Sequence, residues 1–100
     1  MITKTFSATN QYSAPVFLSK DQVLAVSISG STWSGTIAIQ RLIPAEGSVD
    51  YPGPSDASWF TQSSHTANME DQVAQGDNCW YRAFATLISS GTPKVIIKAS

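Results

Sequence analysis

Apolar residues recur at every second position in four stretches of this chain, and that periodicity is the feature that most restricts its fold. In 22–29 the residues Leu24, Val26 and Ile28 share one parity, and the stretches 33–39, 80–88 and 94–99 alternate in the same way. In 80–88 the set Tyr81, Ala83, Ala85 and Leu87 opposes Trp80, Arg82, Phe84, Thr86 and Ile88. Successive side chains of a strand point to opposite faces, so alternation predicts half-buried antiparallel strands.

Segments rich in Gly, Ser and Pro separate these stretches and predict the turns. The segments 29–35 and 89–93 are each predicted to form a short hairpin turn, with glycines available for positive φ. The predicted strands are 2–8, 12–18, 22–29, 35–43, 58–64, 69–74, 79–88 and 94–99. A helical turn at 66–72 is the one helical alternative. Eight short strands at this spacing predict an all-β, antiparallel β-sandwich of jelly-roll or immunoglobulin-like type, as a single domain over 1–100.

Composition sets the environment of this domain. Charged residues make up 13% of the 100 residues and the net charge is −1, against about 25% charged residues in typical domains. The basic residues are spread along the chain, which argues against a nucleic-acid partner. Neither a membrane-spanning apolar run nor a signal-peptide pattern is apparent, and the single cysteine cannot form an internal disulfide. The sequence therefore predicts a domain that is made and folded in a cytoplasm.

The residues that could carry catalysis or bind metal lack the spacing that either would need. His65 and Cys79 stand alone, without zinc-ligand spacing, and there is no GxSxG motif for a nucleophilic serine. We interpret His65 as an exposed residue at a strand end, and Cys79 as a small buried hydrophobe. Glu70 and Asp71 are adjacent on a strand and should point to opposite faces. A calcium site at Glu46, Asp50 and Asp56 has no EF-hand-like spacing to support it. We therefore expect no enzymatic activity, no cofactor and no metal.

The segment 44–58 contains three of the five prolines and is predicted to form a long loop. Its length and its position between strands make it a candidate for interaction. We predict that Tyr51, Pro52 and Pro54 are contact residues for another protein.

Aromatic residues and one arginine complete the candidate sites. Trp80 has the opposite parity to Tyr81, so an outward Trp80 or Phe84 indicates either a strand buried on both faces or a protein contact. We predict that Trp80 is a contact residue for another protein. Arg41 has the parity of Ile37 and Ile39. We predict that it lies where their face leaves the core, as an end-of-strand anchor for its own loop or for another chain.

Two further readings of the aromatic residues stay open. Trp33 or Trp59 could stack against sugars, as in a carbohydrate-binding β-sandwich. The spacing of Asp77, Tyr81 and Ala83 matches a sandwich corner, in which the tyrosine hydroxyl bonds to the backbone of the preceding loop.

The order of these motifs resembles that of small proteins that recur in the structural gene sets of tailed bacteriophages. The resemblance runs from Val26 to Ile97 through "VSISGSTWSGTIAIQR", "SWF", "ANMEDQVAQGDNCWYRAFA" and "SSGTPKVIIKAS". The family pattern is a G-x-W/F-x-G hairpin ending in (Q/E)-R, a later Trp, a "G…YR" strand and a closing "SGT" hairpin. The Pro-rich segment 44–58 departs from it, because a shorter acidic-Gly turn is expected there.

The resemblance implies a non-enzymatic virion protein that is assembled in the host cytoplasm. Its expected role is a capsid decoration or cement protein that binds and stabilises the shell of the major capsid protein. A neck or tail component is the alternative within the same setting. We expect other virion proteins as partners, self-association as a dimer or trimer, and neither nucleic acid nor membrane as a partner.

Overall fold

The computed structural model describes residues 1–42, 59–74 and 78–100. Nine strands lie in these ranges: β1 Ile2–Thr5, β2 Gln11–Tyr12, β3 Val16–Leu18, β4 Val23–Ser29, β5 Ser34–Leu42, β6 Phe60–His65, β7 Met69–Ala74, β8 Cys79–Ser90 and β9 Lys94–Ala99. None of the described residues is helical, and the segment 66–72 leads into β7. Among them, therefore, no helix is long and apolar enough to cross a membrane. Two antiparallel sheets pack face to face, which confirms the predicted all-β sandwich.

The chain crosses several times between the two sheets. One has four strands in the order β1-β9-β4-β7; the other has five, in the order β2-β8-β5-β6, with β3 also paired to β8. The predicted hairpins at 29–35 and 89–93 are therefore wrong, because β4 and β5, like β8 and β9, lie in different sheets. These turns cross the sandwich and pack on each other at one end. Gly91 has φ +80°, and a side chain there would meet the Thr32 carbonyl and lie 2.7 Å from Trp33 Cα.

The core lies between the sheets and is built from the inward residues of each strand. Buried apolar side chains include Leu24, Val26 and Ile28 of β4, Ile37 and Ile39 of β5, Tyr81, Ala83 and Ala85 of β8, and Val95 and Ile97 of β9. The alternation in the sequence placed these residues on the correct face. Burying branched aliphatic side chains in this way is the main contribution to stability, about 25 cal/mol per Å² of apolar surface.

Two of the predicted elements need correction. The predicted strand 12–18 is interrupted after Tyr12, where buried Ser13 accepts a 2.8 Å hydrogen bond from the Ala83 amide and so replaces a ladder bond. The predicted inward residue Leu87 is 49% exposed. Thr36 pairs with Leu87 while Ile37 pairs with Ala85, so Thr86 is an extra residue in β8. This bulge reverses the parity of the strand and brings Ile88 against the core.

Tyr81 does not form the predicted backbone contact of a sandwich corner. Its hydroxyl donates a 3.1 Å hydrogen bond to Gln62 Oε1 of β6. Ile39 pairs with Ser63 and Gln40 with Thr61, so Gln62 is the extra residue of a bulge. Burial is the largest cause of a pKa for Tyr81 well above its usual value. Asp77 lies outside the described residues.

Candidate interaction surface

The outward residues of β8 are large, although this side of the strand faces away from the core. Trp80 and Phe84 are half-buried there, and Arg82 between them is buried. Residues opposite each other in an antiparallel pair share a face, and this adds Tyr12, which pairs with Phe84, and Phe17, which pairs with Trp80. We call the set Tyr12, Phe17, Trp59, Trp80, Arg82 and Phe84 the aromatic face.

The rings of the aromatic face contact one another in pairs. Tyr12 and Phe84 are stacked, with centroids 4.5 Å apart and planes inclined by 15°. Phe17 and Trp80 meet edge to face at 5.2 Å and 65°. Both geometries are favourable for aromatic pairs and contribute about 0.5–1.5 kcal/mol beyond the burial of area. The cross-strand register therefore fixes the orientation of four rings on one rigid sheet.

Arg82 lies between two rings at the centre of this surface. Its guanidinium carbon is 4.2 Å from the ring centroid of Tyr12 and 4.3 Å from that of Trp59. Arg82 Nε donates a 2.8 Å hydrogen bond to Gln40 Oε1 of β5. The side chain is only 4% exposed, so its charge is held in a poorly solvated environment in which cation–π contacts are strong.

The neighbouring strand β5 is consequently buried on both sides. Ala38 and Gln40 lie opposite Phe84 and Arg82, and both are buried although they point away from the core. Gln40 Nε2 in turn donates to Thr61 Oγ1 at 3.4 Å. The aromatic face is thus a small second layer of packing on the outside of the sandwich. Its composition, aromatic rings around an arginine, is typical of the centre of a protein interface.

Of the predicted contact residues, the structure describes Trp80 and Arg41, and these two lie on opposite sides of the sheet. Trp80 belongs to the aromatic face, whereas Arg41 pairs with Tyr81 on the inward side of the sheet, near the end of β5. Arg41 is half-buried, and its guanidinium carbon lies 5.6 Å from the Phe60 ring centroid. The position of Arg41 is the predicted one, where its face leaves the core. Tyr51, Pro52 and Pro54, with the rest of 44–58, lie outside the described residues.

The sequence interpretation missed Arg82, Tyr12 and Phe17 as members of a surface. Arg82 stands between Trp80 and Phe84 with the same parity, and that pattern could have identified it. Tyr12 and Phe17 could not have been found in this way, because their positions depend on which strand pairs with β8.

Trp33 lies at a corner of the sandwich and packs against the core. Its Nε1 donates to Asn68 Oδ1 at 2.9 Å, and Asn68 Nδ2 donates to the Gly30 carbonyl at 3.0 Å. Beside it is an open cleft of about 300 Å³, whose lining includes Ser31, Thr32 and Thr66. The cleft is therefore lined by hydroxyl and amide groups and one indole.

The remaining candidates are the residues that could carry catalysis or bind metal. His65 Nε2 lies 2.9 Å from Ser63 Oγ at the end of β6. The prediction that His65 is exposed is wrong, because its side chain is half-buried. Cys79 is buried, as predicted. Glu70 pairs with outward Ser27 and Asp71 with inward Val26, so the two carboxylates lie on opposite sides of the sheet, as predicted. Within the described ranges no three His, Cys, Asp or Glu residues are grouped to hold a metal ion. Glu46, Asp50 and Asp56 lie outside those ranges.

Comparisons with protein families, with curated proteins and with solved structures find no match to this chain.

Proposed function

We propose that this protein is a non-enzymatic virion component that decorates a phage capsid and binds the major capsid protein through its aromatic face. The observation that carries the proposal is a set of five rings around a buried arginine on the outside of a rigid sheet. The sequence resemblance from Val26 to Ile97 provides the virion setting.

The aromatic face is suited to this task on physical grounds. Tyr12 is 39% exposed and the other rings are half-buried, so a partner would remove further apolar surface from water. Because the rings are already held by stacking and by strand register, little conformational entropy is lost on binding. The cross-strand contacts thus preorganise the surface for a shell whose subunits repeat symmetrically.

Mass spectrometry of purified virions tests the setting. Virions from the strain that produces this chain are separated into heads and tails, and each fraction is analysed. We expect the protein in the head fraction, at a fixed ratio to the major capsid protein. Recovery in the tail fraction would favour a neck or tail role, and absence from both fractions would overturn the proposal.

Paired variants test the surface itself. The double variant Tyr12→Ala/Phe84→Ala should lower occupancy on decoration-free heads by at least about tenfold, which corresponds to 1.4 kcal/mol. The matched control is Val23→Ala on the other sheet, because Val23 is 37% exposed and Tyr12 is 39% exposed. Unchanged occupancy of a folded double variant would exclude the aromatic face as the contact.

A carbohydrate-binding module is the second candidate, and the cleft beside Trp33 favours it. The cleft combines an indole with neutral hydroxyl and amide groups, which are the groups that bind sugars. Glycan-array binding that is lost in both Trp33→Ala and Asn68→Ala but kept in Trp59→Ala would support this function. Asn68→Ala is needed because Trp33 packs against the core, so its removal also affects folding. The absence of glycan binding by the folded wild-type protein would exclude it.

A further inference from the structure

The outer side of the four-stranded sheet forms a shallow trough with a volume of about 510 Å³. Its floor is β4, whose outward residues Ala25 and Ser27 are small. Gln72 and Glu70 of β7 form one wall, and Lys98 and Ile96 of β9 form the other. Because these side chains of β4 are small, the surface of another protein can approach the sheet closely.

The two walls carry opposite charge. Glu70 is level with Ser27 on the β7 side. On the β9 side Lys98 is level with Ala25, and Lys94 is level with Ser29. Along the strand direction the two lysines therefore lie on either side of the level of Ser27 and Glu70. All three charged side chains are exposed, and none forms an ion pair with another described residue. The charges are therefore available to a partner with the reverse pattern.

The open edge of β7 is a poorer contact than this face. Asp71 has inward parity, opposite Val26, yet it is exposed because β7 is at the end of its sheet. An inward-pointing charge on an edge strand opposes the addition of a further strand. Edge-to-edge pairing at β7 is thus disfavoured, whereas face-to-face packing leaves Asp71 at the rim.

We infer that the trough is a two-fold interface with a second copy of this chain. A two-fold axis parallel to β4 places the β7 wall of one protomer over the β9 wall of its partner. Each Glu70 then lies between Lys94 and Lys98 of the partner subunit, and the contact occurs twice, as an isologous interface requires. An axis in the plane of the sheet but perpendicular to β4 would instead place β7 over β7 and lose this complementarity. The inference is independent of the proposed virion role.

Charge reversal on the purified protein tests the interface without any virion. The molar mass of the protein is measured by sedimentation and native mass spectrometry from about 1 to 100 µM, a range that spans an interface with a micromolar Kd. We expect a dimer for the wild type, with weaker association at high salt. Glu70→Lys and Lys98→Glu should each weaken dimerisation by at least about tenfold, because symmetry repeats each repulsive contact.

Mixing the two variants provides the decisive result. In an equimolar mixture Lys at position 70 of one variant meets Glu at position 98 of the other, so a heterodimer should form at concentrations too low for either variant to dimerise alone. The matched control is Lys20→Glu, which changes the net charge as Lys98→Glu does but at an exposed lysine outside the trough. This control should dimerise like the wild type. A monomeric or trimeric wild type would overturn the inference. So would a dimer that tolerates both reversals, or a mixture that remains monomeric.

Discussion

The outer sides of the two sheets arise from the same alternating pattern but have opposite character. On β8 the outward positions hold Trp80, Arg82 and Phe84, and Arg82 is 4% exposed. On β4 the outward positions hold Val23 and then the small residues Ala25, Ser27 and Ser29, flanked by exposed charges. One face is filled by its own side chains, whereas the other leaves space and carries charges that form no ion pair with the residues that the structure describes.

This difference shows that alternation fixes the geometry of a sheet while the outward residues decide what each face can do. The aromatic face is held together by contacts within the protomer, so its residues should affect folding and binding alike. The charged trough has few internal contacts, so its residues should affect association with little effect on folding. Variants on the two faces can therefore separate these contributions.

Arg82 should give the largest effect on stability. Arg82→Ala removes contacts with the Tyr12 and Trp59 rings and leaves the buried acceptor Gln40 Oε1 without its 2.8 Å bond. We expect the free energy of unfolding to fall by about 2–4 kcal/mol, measured by urea denaturation. Arg82→Met keeps most of the apolar stem and should recover part of the loss. A loss under about 0.5 kcal/mol would remove the distinction between the two faces.

Tyr81 tests how the inward side of β8 compares with the outward side. Tyr81→Phe should cost about 1 kcal/mol at neutral pH, because the hydrogen bond to the half-buried Gln62 is lost. Burial raises the pKa of Tyr81 above that of an unfolded tyrosine, near 10. The folded state then keeps a proton that the unfolded state releases, so this contribution is complete below about pH 10 and is lost as pH rises further.

The measurement is urea denaturation of both proteins at pH 7 and at pH 11. The two proteins differ only in the hydroxyl of Tyr81, so the difference between their losses of stability reports on that hydroxyl. We expect the wild type to lose more of its stability at pH 11 than Tyr81→Phe does. Equal losses in the two proteins would mean that the Tyr81 hydroxyl is not coupled to folding.

Much of the fold could be predicted from the sequence because burial on one face imposes a period of two. The parity of Leu24, Val26 and Ile28 located β4 and its inward side, and the same reasoning located β5, β8 and β9. The pairing of strands could not be predicted, because a turn such as 29–35 has the same composition whether it links neighbours or crosses the sandwich.

The candidate surface was only partly predictable for the same reason. Trp80 and Phe84 were identified as outward from parity alone. Tyr12 and Phe17 join them through pairing with β8, which depends on contacts distant in the sequence. The bulges at Gln62 and Thr86 also have no local signature, since each is set by the register of a neighbouring strand.

Coupling between Tyr12 and Phe84 should be the next effect in size. A double-mutant cycle with Tyr12→Ala and Phe84→Ala should give an interaction energy of about 0.5–1.5 kcal/mol, as expected for stacked rings 4.5 Å apart. The control cycle pairs Tyr12→Ala with Val23→Ala on the opposite sheet and should be additive within about 0.5 kcal/mol. Additivity in both cycles would mean that the rings are neighbours without energetic coupling.

The smallest effect on the folded protomer is expected at Lys98. Lys98→Ala removes an exposed charge with no ion pair among the described residues, so the free energy of unfolding of the monomer should change by less than about 0.5 kcal/mol. This free energy is measured at low protein concentration, at which the protein is monomeric. At high concentration a two-fold interface stabilises the wild type by mass action, and the Tm of the wild type should then rise with concentration. The Tm of Lys98→Glu should rise less over the same range. A concentration-independent Tm for both proteins would show that the trough makes no contact, and the two faces would then differ only in packing.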